Sequence, residues 1–379
     1  MVKEIEKPPF RQPSVKKSQK KSWLYLLLLL LLGSGIGSWQ AWLWWKGVTA
    51  PVQELRKIQP EKSNNLVTFK VEEGMTGNSI GKKLESVGLI RSATAWKIWT
   101  KWHQQLEAKG NFKSGTYLIS PTEPMSKIAQ KIWRGEVMQA EFTIPEGWNI
   151  QQMADYFASI GYFSAAEFIA ATKEIPYTEY PWLPKNLKHL EGFLYPNTYK
   201  ISSDRISPSE IIKVMLDEFA RVALPLFQAE NKQADLTLQD WVTLSSIVEK
   251  EAVVAKERTL IAGVFLNRLR IGMPLQTDPT VEYGLGIKQT ADRPLTYKEV
   301  KTPSPYNTYI NPGLPPTAIA SPGLESLKAV LKPAPTKYLY FVARYDGTHI
   351  FSSSLSAHNR ATVKIRRQRN SQLEKKKKG

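Results

Sequence analysis

From Ser22 to Trp45 the chain runs 24 residues without a charged side chain, with an unbroken leucine stretch from Leu26 to Leu32. At about 1.5 Å per residue, a helix of that length reaches ~36 Å and spans a bilayer's hydrocarbon core. Trp23 and Tyr25 at one end, and Trp42, Trp44 and Trp45 at the other, fall where interfacial aromatic belts form. Lys16, Lys17, Lys20 and Lys21 precede the run and only Lys46 follows it closely, which predicts a cytoplasmic amino end and an exported remainder at the plasma (inner) membrane. A cleaved signal peptide shares the basic start and the apolar run. This run is longer than an ordinary signal core and ends in tryptophans instead of a small-residue cleavage site, which favours an uncleaved single-pass anchor.

The rest of the 379 residues allows two or three domains, with a core large enough to need no staples. The absence of cysteine excludes a disulfide framework, thiolate zinc sites, iron–sulfur clusters and a cysteine nucleophile. A formal net charge of +18 suggests nucleic acid until it is mapped: residues 1–21 and 364–379 together supply 12 of it. Basic tails flanking a nearly balanced body argue against a nucleic-acid-binding face and for solvated ends or contact with anionic lipid. Pro51, Pro60 and mixed charges mark 46–65 as a tether, and 366–379 reads as a basic tail without structure.

An internal repeat follows the tether. Phe69-Lys-Val-Glu-Glu-Gly-Met75 aligns with Phe142-Thr-Ile-Pro-Glu-Gly-Trp148 at an offset of 73 residues, and Ser86-Val-Gly-Leu-Ile90 with Ser159-Ile-Gly-Tyr-Phe163. Each copy predicts a strand, a Glu-Gly turn, an amphipathic helix ending at Gly88 or Gly161, and a second helix. With a return strand at 115–120, the first copy makes a small α+β unit. It resembles a LysM module, a fold associated with N-acetylglucosamine-containing polymers; a plain spacer is the competing reading. Trp96, Trp99 and Trp102 share one helical stripe, which favours burial over sugar stacking.

Residues 236–254 predict one helix with Thr237 as its cap. Setting Trp241 at zero, Leu244, Ile247, Val248 and Ala252 share one arc, and Glu251 falls inside it at about 280°, while Glu249 and Lys250 point elsewhere. A carboxyl withdrawn from water keeps its proton to higher pH and can protonate a leaving group. Periodicity leaves a second reading open, a buried structural glutamate paired with Arg258 or Arg268. The four histidines share no helical ligand spacing, and neither a Gly-x-Ser-x-Gly elbow nor a phosphate-cradling glycine loop is present.

Pro- and Gly-rich polar segments after that helix suit rigid loops lining a groove. The run Ile247-Val-Glu-Lys-Glu251, Leu275-Gln-Thr-Asp-Pro-Thr280, Tyr306-Asn-Thr-Tyr309, Gly313-Leu-Pro-Pro316, Phe351 to Asn359, and the upstream Leu190-Glu-Gly-Phe-Leu-Tyr-Pro-Asn-Thr-Tyr199 resemble the YceG-like family of endolytic murein transglycosylases. The resemblance covers about residues 66–365, with Asn197 where the family usually has Asp, so Asn197 is given no proton-transfer role.

The resemblance implies an α+β chain: a transmembrane helix at 22–45, a LysM-like module at 66–138, and a mixed α/β catalytic domain at 139–365 whose central helix carries the catalytic Glu. It implies that Glu251 is acid and base in cutting the bond between N-acetylmuramic acid and N-acetylglucosamine inside peptidoglycan glycan strands. The muramic C6 hydroxyl then closes a 1,6-anhydro ring, so no second carboxylate is needed to activate water. Glu191, Gln276, Asp278, Tyr306 and Asn307 are candidate substrate-binding groups, and Glu249 is both a candidate ligand and the runner-up for the acid. Competing readings are a hydrolase using Glu251 with Asp278 or Glu191 and water, and a wall-binding scaffold. No cofactor or metal is implied, and the partners implied are glycan strands, the membrane and peptidoglycan synthases of the elongation or division machinery.

Overall fold

A computed structural model describes residues 20–53, 66–106, 111–231, 236–290, 293–344 and 346–378. It is a mixed α+β structure, and the chain divides into two compact units, Met1–Met138 and Gln139–Gly379. The expected basic amino tail up to residue 19 and most of the expected tether, 54–65, lie outside the described residues.

The first unit opens with α1 (Lys20–Thr49), whose stretch Leu27–Thr49 is long and apolar enough to cross a membrane and is unburied. The helix continues past the predicted end at Trp45 because Lys46, Gly47 and Val48 carry no breaker strong enough to stop it. Beyond it come β1 (Val67–Val71), α2 (Gly77–Ser86), α3 (Ala93–Leu106), β2 (Gly115–Ile119) and α4 (Met125–Arg134). β1 and β2 pair antiparallel from Val67↔Ile119 to Val71↔Gly115. Phe69, Tyr117, Ile80, Leu84, Ile128 and Ile132 fill the space between this ribbon and the helices.

Of the tryptophan stripe, Trp96 is fully buried and Trp99 nearly so, whereas Trp102 is 63% exposed. Trp96 lies against Gly81 so closely that a Cβ there would overlap its ring, and its indole N–H donates to Gly77 O at 2.7 Å.

The second unit begins with the other copy of the repeat: β3 (Gln139–Thr143), α5 (Ile150–Ser159), α6 (Ala165–Ala171), β4 (Thr198–Ser202) and α7 (Pro208–Glu230). β3 and β4 pair antiparallel from Gln139↔Ser202 to Thr143↔Thr198. Strand, two helices, return strand and helix thus occur twice along the chain. Asn149 and Ser164 cap α5 and α6 with reciprocal capping boxes, which fixes where each helix starts.

The remaining elements are α8 (Leu238–Glu251), α9 (Arg258–Arg270), α10 (Asp278–Leu285), α11 (Tyr297–Val300), α12 (Leu324–Leu331), β5 (Tyr340–Ala343), β6 (His349–Ser352) and α13 (Leu355–Lys378). β5 and β6 form a hairpin with Tyr340↔Ser352 and Ala343↔His349. α8 packs against α9, α10 and α12 and is enclosed on every side from Trp241 to Val248. Thr243, Ser245 and Ser246, which lie outside the apolar arc of the wheel, are buried as well; Ser246 Oγ donates to Thr243 O and accepts from Ile319 N, so its hydroxyl is satisfied inside the core.

The carboxyl segment differs from expectation. Residues 366–378, expected to lack structure, continue α13, because lysine, arginine, glutamine and leucine are strong helix formers and no glycine or proline interrupts them before Gly379.

Candidate active site

α8 brings Glu251 to the site as its last residue. Thr237 caps the other end, accepting from Asp240 N at 3.1 Å. A carboxylate at a helix C-terminus meets the negative end of the peptide dipoles, which favours its neutral form. Glu251 as a residue is partly exposed, yet enough protein surrounds its carboxyl that desolvation pushes its pKa up to about 8. Asp278 and Glu282 add repulsion in the same direction, and Arg268 opposes them. Among the described residues no donor hydrogen-bonds the Glu251 carboxylate.

Asp278 and Glu282, four residues apart and therefore on one side of α10, both act on Glu251 as nearby negative charges. Pro279 in the first turn of α10 fits a position where no N–H is needed. Asp278 Oδ1 accepts from the Tyr309 hydroxyl at 2.7 Å, and Glu282 Oε1 accepts from Gln289 N at 2.6 Å. Both carboxylates are thus held in place. Arg268 spends its N–H groups on the carbonyls of Leu339, Pro274 and Leu275, and its guanidinium lies 5.3 Å from the Tyr340 ring centroid. It acts on Glu251 as a nearby charge without a hydrogen bond.

The structural ion pair that periodicity left open belongs to the other glutamate. Glu249 Oε1 lies 3.6 Å from Arg258, and its Oε2 accepts from Gly323 N at 3.1 Å. Its side chain is 8% exposed, so the direction away from the apolar arc in which the helical wheel points it is interior too. The enclosing packing of α8 is the reason: from Trp241 to Val248 every direction around this helix is interior, and Glu249 follows directly on that stretch.

A cavity of 730 Å³ opens beside this tip, lined in part by Asn149, Gln152, Glu191, Lys250, Glu282 and Tyr283. Glu251 itself does not line it; its chain neighbour Lys250 and its facing carboxylate Glu282 do. Glu191 is 2% exposed and accepts from Ile150 N at 3.1 and 3.2 Å and from the Tyr283 hydroxyl at 3.0 Å. Burial pushes it up to about 7, against these hydrogen bonds, which favour the ionised form. Gly192 beside it has φ +85°, and a Cβ there would collide with Ala318 and with Val242 of α8. The Leu-Glu-Gly turn therefore seats Glu191 directly over the central helix.

The other candidates separate. Gln276 is exposed, with φ +51°, and its backbone N–H donates to Thr308 O at 3.1 Å. A buried hydroxyl cluster of Thr277, Thr280 and Thr308 fixes the turn that carries it. The Tyr306 ring lies 4.8 Å from that of Tyr283, and its hydroxyl pairs with Thr317 at 2.9 Å. Asn307 does not face the cavity: it is fully buried, its amide donates to Val300 O and Thr302 O, and its oxygen accepts from Tyr309 N. Asn197 donates to Glu218 at 2.7 Å. His349 pairs with Glu257 at 2.7 Å, and among the described residues no group of three or more His, Asp or Glu is disposed to hold a metal ion.

Glu282 escaped the sequence reading, and Tyr283-Gly284 stands there only among the groove-lining segments, without a role of its own. The available signal was the spacing Asp278-Pro279 to Glu282, which puts two acids on one face of a helix begun by proline.

The family model described as the YceG-like family matches residues 69–364. The chain belongs to the YceG-like family. Among its relatives, the endolytic murein transglycosylase of Bacillus subtilis strain 168 is 33% identical over 337 residues, covering 86% of this chain and 89% of that protein. The endolytic murein transglycosylase of Streptococcus pneumoniae R6 is 30% identical over 328 residues, covering 79% of this chain and 58% of the longer pneumococcal protein. The crystal structure of a YceG-like protein from Listeria monocytogenes aligns with a TM-score of 0.54 at 34% identity, over 79% of this chain and all of that one.

Proposed function

We propose that this chain is a membrane-anchored endolytic lytic transglycosylase of peptidoglycan, with Glu251 as acid and then base. The observation that carries the proposal is the Glu251 carboxyl at the tip of α8, pushed up to about 8 by burial and by Asp278 and Glu282, on a partly exposed residue whose neighbour Lys250 lines the cavity. A carboxylic acid with that proton affinity is protonated at neutral pH, as a general acid must be. The family membership and the names of the relatives supply the substrate: murein, cut within its strands.

Glu251 donates its proton to the glycosidic oxygen between N-acetylmuramic acid and N-acetylglucosamine as the C1–O bond breaks and C1 becomes oxocarbenium-like. The resulting carboxylate takes the proton of the muramic C6 hydroxyl, whose oxygen bonds to C1 and closes the 1,6-anhydro ring. The proton count balances, and no water enters. Asp278 and Glu282 lie where negative charge steadies the developing cation. Gln276 and Tyr306 are substrate contacts in this reading, Glu249 fastens the helix tip to Arg258 and Gly323, and Asn307 holds its loop.

The proposal includes α1 as an uncleaved anchor with the amino end in the cytoplasm, residues 66–138 as a LysM-like module, and residues 139–365 as the catalytic domain. Synthase partners follow from the family resemblance alone. The test is digestion of purified peptidoglycan by the detergent-solubilised full chain, with fragment ends identified by mass spectrometry. Wild type is expected to release anhydro-muramic ends, and Glu251→Gln to lower the rate by at least about a thousandfold while strand binding persists. Reducing ends, or undiminished turnover in the variant, would reject the assignment.

A further inference from the structure

The buried Glu191 carboxylate joins two walls of the cavity that belong to different elements. Its oxygens accept from Ile150 N at the start of α5 and from the Tyr283 hydroxyl on α10. Gly192 presses the same turn onto Val242 of α8. Tyr283 follows Glu282 in the chain, and its ring is backed at 4.8 Å by Tyr306, which is fixed in turn by Thr317. α10 is therefore tied to the segment that rides on α8, and α10 carries both acids that face Glu251.

From this geometry we infer that Glu191 is a positioning residue: its carboxylate holds α10 against α8 and so keeps Asp278 and Glu282 beside Glu251. The inference rests on the role proposed for Glu251. Among the described residues, the charged and titratable groups that act on Glu251 are Asp278 and Glu282 on α10, Arg268 on α9 and Tyr309 in the segment after α11. Those around Glu191 are Tyr283, with Tyr306 behind it, and His189, whose Nδ1 accepts from Glu191 N at 3.3 Å. Lys250 lines the same cavity. The side chain is almost wholly withdrawn from solvent, and its hydrogen-bonding partners are protein groups, as expected of a strut and not of a sugar ligand.

The experiment compares wild type, Glu191→Gln and Tyr283→Phe in the full detergent-solubilised chain, following glycan cleavage from about pH 5 to about pH 9. When α10 relaxes away, repulsion on Glu251 falls and so does its pKa. Both variants are expected to lose about tenfold in kcat with KM within about twofold, and to move the alkaline limb of the profile down by about half a pH unit or more. An unmoved limb, or a rise in KM alone, overturns the inference; the second result would make Glu191 a substrate ligand. Tyr283→Phe keeps the ring and removes only the hydroxyl, so it decides the matter if Glu191→Gln does not fold. If wild type leaves reducing ends while the limb still moves, the transglycosylase reading falls and the positioning role stands.

Discussion

Glu251, raised to about 8, and Glu191, raised to about 7, keep protons in the folded chain at pH values where the unfolded chain has released them near 4.5. Between those limits the folded state binds more protons, so stability falls as pH rises through the window and levels off above it. The melting temperature of wild type should therefore decline from about pH 5 to about pH 8, and Glu251→Gln, which never ionises, should flatten part of that decline and melt higher at the alkaline end. Thermal melts at a series of pH values measure this; an identical slope in the variant would mean Glu251 is not held above its ordinary range. Glu251 was legible because its place in an apolar helix depends on local order alone. Glu282 and the role of Tyr283 were not, because what they face is set by the docking of α10 on α8, and no local pattern encodes that. Asn307 looked like a ligand for the same reason: its residue type suits sugar binding, but the fold spends all of its amide on backbone.

At the scale of elements, α8 shows where periodicity misleads. A one-faced wheel was expected, but Thr243, Ser245 and Ser246 are as buried as Trp241 and Leu244, because small side chains let neighbouring segments approach. The phase argument put Glu251 within the apolar arc, whereas its partial exposure comes from its position at the helix tip. Glu249 was misread because a surrounded helix has no outward side. Replacing Trp241, which is fully buried with its indole N–H donated to Leu327 O at 2.9 Å, by alanine should cost about 3–5 kcal/mol in urea unfolding. Gly192→Ala should cost about 1–3 kcal/mol or more, because it combines a left-handed backbone with overlap against Val242 and Ala318. An unchanged unfolding midpoint in the glycine variant would show that the turn does not press on α8 as described. The repeat was readable because strand, Glu-Gly turn and capped helix are local signals; the pairing of β3 with β4 across 54 intervening residues was not, since the second copy carries a long insertion before its return strand.

On the scale of the whole molecule, the apolar run that opens the sequence is a single helix, Leu27–Thr49 being its membrane-length part. Composition and length made it legible. Orientation rests on the lysine asymmetry, and the full chain should remain with membranes under alkaline extraction while protease added outside spheroplasts digests the second unit. Release into the soluble fraction would reveal a cleaved leader instead. The α+β class and family were readable from ordered motifs spread over most of the chain, whereas the helical course of α13 was hidden by a composition that also suits a solvated tail. The measurement that bears most directly on the central claim is digestion of glycan strands in heavy-oxygen water, with the new ends weighed. Transfer to the muramic C6 hydroxyl predicts wild-type fragments free of the heavy label and none formed by Glu251→Gln; one labelled oxygen per cut would contradict it.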